Sequence, residues 1–532
     1  MPLPAIHLPA RFNVAEHFFR PVLAGEAEPG PYLTCGGKTL TRHDAWAQSV
    51  RLGRALRQMG VEPENRVMLL MDESLAVAPC FWGTLLVGAV CVPVNPGLTP
   101  ADHRRILADS RAKVLIVEGS HWCRLAPYRG ELRHLRHVIT VGGGHPGLPA
   151  LEQLLAPTEN EGHAPHPAEL MHPDDAAFWL YTSGSTGAPK AAVHLHRDPV
   201  YAVERYAKAV LGLTPEDKGL SAARMCFAYG MGNSLFFPLA TGCTGVILPA
   251  APTGETLLKA LARHRPTVFY GVPTHFRAIL DQWRAWPKAG NGIQHTALGH
   301  LRFSVSAGEA LPAQTATEWR ETFGSEILDS MGSTEMLTFF IANHPGRSRP
   351  GNIGTPVPGF SVRLVDAGGR DVPPGKPGSL RVKGETAAAR YWNRRALTRS
   401  TMLGEWIVTG DRLVQEQDGS YRYLGRDDDM FKVGGSWVSP MEVETALMTH
   451  PDVAECAVVG KLGPQGLSQA QAFVVTVPHR RAPQGCPENL TEELRQHVAD
   501  RIAAFKVPET ITVVPRLPRT PTGKVRRFQL RG

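Results

Sequence analysis

Four hydroxyls, on Thr182, Ser183, Ser185 and Thr186, are interleaved with Gly184 and Gly187 and closed by a cation at Lys190. Together with the small Ala188, the glycines free the backbone to turn several successive N–H groups toward one point. Such a concavity receives phosphate oxygens, and the hydroxyls add neutral donors. The chemistry implied is that of a nucleotide polyphosphate. Two familiar nucleotide loops do not fit. A P-loop needs glycine directly before its lysine and a helix after it. Here Pro189 precedes Lys190, and Ala191 to Val193 read as a strand. The spacing G-x-G-x-x-G is absent from this loop as well. A solvated serine-glycine surface turn is the bland alternative.

The run from Tyr181 to Lys190 resembles the signature loop of the adenylate-forming superfamily: acyl-CoA synthetases, luciferases and the adenylation domains of peptide synthetases. Segments resembling that superfamily's other motifs follow in order from Ser306 to Lys524. The similarity spans nearly the whole chain, and the benzoate–CoA ligase group matches best. The resemblance implies ATP- and Mg²⁺-dependent activation of a carboxylic acid with release of pyrophosphate. Transfer of the acyl group to coenzyme A then releases AMP. A carboxylate is a poor electrophile, because its charge repels nucleophiles and its leaving group is oxide. Joined to AMP it gains a good leaving group, provided two anions are first held together and their repulsion neutralised.

By this resemblance, Thr182, Ser183, Gly184, Ser185, Thr186, Gly187 and Lys190 hold the phosphates. In the run Asp329, Ser330, Met331, Gly332, Ser333, Thr334 and Glu335, Thr334 bonds the α-phosphate and Glu335 holds Mg²⁺. Met331 covers adenine, where many relatives place an aromatic ring. Ala307, Gly308 and Glu309 border the adenine. Asp411 accepts the ribose hydroxyls with Arg426 in support, and a purely structural Asp411–Arg426 pair is the alternative. Lys524 bridges the substrate carboxylate and the α-phosphate, so Lys524, Glu335 and Thr334 are the expected catalytic residues. Asp428 is the expected hinge of a lid which, once turned, brings Lys432, Gly434 and Gly435 beside the pantetheine arm.

Phe227, Ala228, Tyr229 and Gly230, with Tyr270, Gly271 and the region around Met331 and Gly332, resemble the acyl pocket of benzoate–CoA ligases. Phe227 and Tyr229 are suited to sandwich a flat ring, with Gly230 leaving space for it. The alternative is that these aromatics belong to the core. Thr338 stands where benzoate ligases often have histidine, which admits hydroxy- or aminobenzoates. The other readings are a short- or medium-chain acyl-CoA synthetase, an enzyme loading a carrier protein in trans, and a basic nucleic-acid-binding protein.

Positioning these residues takes alternating helices and strands. Thr41 caps a helix carrying Trp46, Val50, Leu56 and Met59, and Gly60 ends it. Val67 to Met71 and Val114 to Val117 read as buried strands, and the alternation argues for an α/β fold. From Leu75 to Val94 there is no charge, but Pro79, Gly83, Gly88 and Pro93 interrupt the run. It reads as a buried helix ending near Gly88 and a strand through Val90 to Val92, not a membrane span. At 532 residues the chain exceeds one core. The expected division is a large α/β domain of several subdomains, residues 1–427, binding ATP and acid, and a small mobile α+β lid, residues 428–532. A net charge of +8 is thinly spread, which disfavours nucleic acid. Eight cysteines without a C-x-x-C pair suggest neither zinc nor a disulfide framework, and no signal peptide is seen, so a cytoplasmic location is expected. The expected partners are an aromatic acid, ATP and coenzyme A, and a homodimer is compatible with the sequence.

Overall fold

The computed structural model describes residues 5–27, 30–143, 145–157, 168–183, 189–249, 252–285, 298–433, 436–462, 468–477, 489–519 and 525–531. Its two main sheets are built from short apolar runs. Val114–Glu118 is buried over its first four residues and lies between Arg66–Leu70 and His137–Val141, parallel to both. Strands covered on both faces read as continuous hydrophobic runs, which is why these segments show no alternation. Beyond Arg66–Leu70 this seven-stranded sheet continues through Val90–Pro93, Ala176–Ser183 and Pro189–Leu195 to Arg390–Tyr391, the last two pairings being antiparallel.

The nine-stranded sheet has a parallel centre: Ile327–Gly332, Phe303–Ser306, Val268–Gly271, Lys218–Ser221, Thr244–Ile247 and Pro31–Cys35. Antiparallel strands close both of its edges. A smaller antiparallel sheet includes Trp406–Gln415 paired with Tyr421–Arg426. Towards the C-terminus, Val453–Leu462, Ser468–Thr476 and Thr510–Val513 form a three-stranded sheet beside the helices Pro440–Met448 and Leu490–Ala499. Val443, Leu447, Val458, Val474 and Leu494 make a core of their own there. The fold is α/β, with a large N-terminal part and a small α+β C-terminal part.

Local chemistry sets the helix boundaries. Thr41 Oγ1 accepts the Asp44 N–H and opens Arg42–Gln58, and Thr99 Oγ1 does the same for Asp102 at the start of Pro100–Ser110. The uncharged run from Leu75 contains the helix Val77–Leu86, buried at every residue, and then the strand Val90–Pro93. Gly88 turns the chain between them at φ +72°, where an added Cβ would meet Met171 Sδ at 2.7 Å. Among the described residues no helix is long and apolar enough to cross a membrane.

Four adjacent parallel strands of the nine-stranded sheet end on residues singled out above. Lys218–Ser221 leads toward Phe227, Val268–Gly271 ends on Tyr270 and Gly271, Phe303–Ser306 leads into Ala307, and Ile327–Gly332 carries Asp329 to Gly332. The carboxyl edge of a parallel sheet is where α/β folds hold ligands.

Candidate active site

Thr182 and Ser183 pair with Lys190 and Pro189 across an antiparallel ladder, so the hydroxyl-rich loop joins two strands and is not followed by a helix. Gly184, Ser185, Thr186, Gly187, Gly434, Gly435 and Lys524 lie outside the described residues, and the roles expected of them are taken up below only as proposals.

Lys190, at the foot of that loop, meets the Glu335 carboxylate at 3.3 Å. Tyr391 completes the cluster. Its hydroxyl donates to Glu335 Oε1 at 2.5 Å, receives Lys190 Nζ at 2.8 Å, and its ring lies 4.2 Å below the same ammonium. Burial pushes the Glu335 carboxyl up, but the charge of Lys190 and the Tyr391 hydroxyl outweigh it and hold the group below the ordinary carboxylate range. Both grips fall on Oε1, so an ionised carboxylate presents its other oxygen. Leu337 follows at φ +58°, a conformation non-glycine residues seldom adopt, and such strain costs ~1–3 kcal/mol and gathers at functional sites.

Met331 is half-buried against the main core, opposite Ile341. Gly308 sits at φ +90°, a backbone conformation that favours glycine. Asp329 is buried, and burial drives its carboxyl up to about 8, with the Leu311 and Ser330 amides pulling the other way. An unfolded aspartate titrates near ~3.9. The folded state therefore binds this proton more tightly, so its contribution to stability is fully present below the unfolded value. It is lost as pH rises through the folded value near 8. Asp329→Asn cannot ionise, so its unfolding free energy relative to the parent is expected to climb between about pH 5 and about pH 8, by at most ~1.4 kcal/mol per pH unit, as read from denaturant melts. A constant difference across that range contradicts the assignment.

Asp411 and Arg426 face each other across their strands, at 3.4 Å, and the Tyr423 hydroxyl donates to the same carboxylate oxygen at 3.1 Å. The structural pair therefore exists, and it holds Asp411 in one orientation.

The residues expected to line the acyl pocket come together in part. The Tyr229 hydroxyl donates to the Val305 and Gly271 carbonyls at 2.8 and 3.2 Å, and its ring meets Tyr270 edge-on at 6.3 Å and Phe339 at 5.5 Å. Tyr229 is a wall fixed to the strand ends, while no ring contact of Phe227 occurs among the described residues. Gly230 serves a different neighbour from the ring it was expected to admit. A Cβ there would stand 2.1 Å from the Arg224 carbonyl oxygen, so it is the backbone of residues 223–224 that requires glycine. Ala228–Met231 is a helical turn that widens into a π-type turn over Gly232–Phe236, a form that recurs at functional sites. Thr338 is buried, and among the described residues its hydroxyl has no hydrogen-bond partner.

Motif reading missed Tyr391 and Glu73. Glu73 Oε1 accepts the Met225 N–H at 3.0 Å, tying the end of one sheet to the turn before Phe227, and burial pushes its carboxyl up to about 7. At the expected hinge, Asp427 pairs with Arg412 at 3.4 Å, whereas Asp429 pairs with Arg531 at 2.7 Å and Arg527 at 3.7 Å. Asp428 stands between a residue tied to the large part and one tied to the C-terminal segment, and Lys432 lies just beyond on the short strand Phe431–Val433.

Residues 25–392 match the family model of AMP-binding enzymes, and residues 442–524 match that of the AMP-binding enzyme C-terminal domain. The chain belongs to the AMP-binding enzyme family. Within the adenylate-forming superfamily it is similar to a benzoate–CoA ligase of Thauera aromatica, 40% identical over 99% of this chain and 97% of that one. Two solved structures share the fold of this family member. A benzoate CoA ligase from Burkholderia xenovorans LB400 is 39% identical, with a TM-score of 0.86 over 98% of this chain and all (100%) of the other. An anthranilate CoA ligase in complex with anthranoyl-AMP is 35% identical, with a TM-score of 0.89 over 98% and 97% of the two chains.

Proposed function

We propose that this chain is an aromatic carboxylate–CoA ligase acting on benzoate or a substituted benzoate. One observation carries the reading: an aromatic wall and the ionised cluster of Lys190, Glu335 and Tyr391 are joined by a single turn. The turn holding Glu335 begins after Gly332 and ends before Phe339, whose ring meets Tyr229. A flat acid against Tyr229 and Tyr270 would therefore lie beside a triphosphate seated at Lys190.

In the first step a carboxylate oxygen attacks the α-phosphorus, the bond to the β-phosphate oxygen breaks, and pyrophosphate leaves. Lys190, the loop hydroxyls and the Thr334 hydroxyl receive phosphate oxygens. Lys524 would bridge the two anions that must meet. Adenine lies between Met331 and the Ala307 to Glu309 turn, and Asp411 takes the ribose. In the second step the sulfur of coenzyme A loses its proton, attacks the acyl carbon and displaces AMP. Residues 428–532 would turn about Asp428 between the steps, an assignment supported by the opposite pairings of Asp427 and Asp429. Thr338, whose buried hydroxyl has no partner among the described residues, favours a ring bearing a hydrogen-bonding substituent.

Magnesium fits the donor set. Glu335 is an ionised hard oxygen ligand, and among the described residues no three His, Cys, Asp or Glu side chains converge. The protein would supply one carboxylate, with phosphate and water completing the shell. The bound ion would neutralise phosphate charge.

Pyrophosphate release across benzoates and aliphatic acids, with and without coenzyme A, tests the function. Turnover is expected with benzoates, strongest for a hydroxy- or aminobenzoate, and dependent on coenzyme A for repeated cycles. Activity confined to aliphatic acids, or dependent on a carrier protein in place of coenzyme A, overturns the assignment.

A further inference from the structure

His194 and Asp198 have no part in the roles above, yet both are fully buried. His194 sits on the strand Pro189–Leu195 and shares a face with Lys190, since side chains an even number of positions apart point alike. While Lys190 grips the Glu335 carboxylate, His194 Nε2 lies 2.8 Å from the Thr334 carbonyl oxygen. A carbonyl oxygen only accepts, so Nε2 carries the hydrogen. On the other side Nδ1 lies 2.8 Å from Asp198 Oδ2, which also accepts the Leu195 N–H at 3.0 Å. The Phe178 ring stacks on the imidazole at 5.3 Å and 22°.

The proton between Nδ1 and Oδ2 has two homes, an imidazolium facing a carboxylate or an imidazole facing a carboxylic acid. In both, the pair is neutral overall and Nε2–H still points at Thr334. The neighbouring carbonyls are received in the same way. Ala388 N–H donates to the Glu335 carbonyl at 2.8 Å and Thr386 Oγ1 to that of Met336 at 2.6 Å. Three successive carbonyls thus accept a hydrogen bond from outside the turn, those of Thr334 and Met336 also accepting the Leu337 and Thr338 N–H at 3.3 and 2.6 Å within it. The side-chain grip on the first is a buried pair carried by the strand that leaves the phosphate loop.

We propose that His194, backed by Asp198, is a positioning residue for acid adenylation: through the Thr334 carbonyl it sets where the Thr334 hydroxyl and the Glu335 carboxylate stand. This rests on the function proposed above. The second step, in which pyrophosphate has already left, makes less demand on that placement. A misplacement of ~1 Å costs on the order of 10²-fold in rate.

The test compares half-reactions in three proteins: the parent, His194→Gln, which keeps a donor at the Nε2 position, and the double variant His194→Leu/Asp198→Asn, which removes the donor without stranding a buried charge. Acyl-AMP formation in the double variant is expected to fall by on the order of 10²-fold in kcat, with the KM for benzoate little changed. Thioester formation from supplied benzoyl-AMP should stay within about threefold and serves as the folding control, while His194→Gln should recover most of the adenylation rate. Parental adenylation in the double variant overturns the proposal. Equal loss in both half-reactions, or no recovery with glutamine, reduces the pair to a structural one and also overturns it. A parent that forms no acyl-AMP from any benzoate overturns the proposed function, and this inference with it.

Discussion

Lys524→Ala is expected to lose acyl-AMP formation by ~10²–10³-fold while thioester formation from supplied benzoyl-AMP survives. The magnitude is that of removing one preorganised donor from a developing oxyanion. Its selectivity follows from the two-anion problem. Only the first step presses a carboxylate against a phosphate, and only there would an ammonium bridging the two be needed to neutralise their repulsion. Separate assays of pyrophosphate release and of benzoyl-AMP consumption with coenzyme A check it. Equal loss in the two would remove the division of labour.

Glu335→Gln is expected to carry the second largest effect, and to show it twice. The carboxylate is ionised despite burial because Lys190 lies 3.3 Å away. Neutralising it strands a largely buried ammonium, and breaking such a pair from one side costs ~3–5 kcal/mol. The Tyr391 hydroxyl keeps an acceptor in the glutamine carbonyl, so the loss should track the charge. Adenylation should fall by ~10²-fold or more and need higher Mg²⁺ concentrations to approach saturation. The melting temperature should fall as well. A variant with parental stability and parental Mg²⁺ dependence would contradict the place given to this group.

Much of the fold could be read from sequence because its signals are local. Apolar runs such as Val114–Glu118 marked doubly covered strands, Thr41 marked a helix start, and Gly88 marked the turn that breaks a long apolar stretch. The order of the motifs identified the family. What stayed hidden depends on contacts between distant segments. Tyr391 reaches Glu335 across 56 positions, His194 reaches Thr334 across 140, and Glu73 reaches Met225 across 152. Nothing in the neighbours of these residues along the chain signals such partners. Gly230 shows the same limit from the other side. Its residue type suggested room for a ligand, and only the packed backbone reveals that the Arg224 carbonyl occupies the space.

Rapid quench of a single turnover, with ATP labelled at the α-phosphate, excess enzyme, benzoate and no coenzyme A, addresses the central claim most directly. The expected result is enzyme-bound benzoyl-AMP formed in step with pyrophosphate, discharged to benzoyl-CoA and AMP when coenzyme A is added. Label appearing in ADP, or no acyl-AMP until the thiol is present, would contradict it.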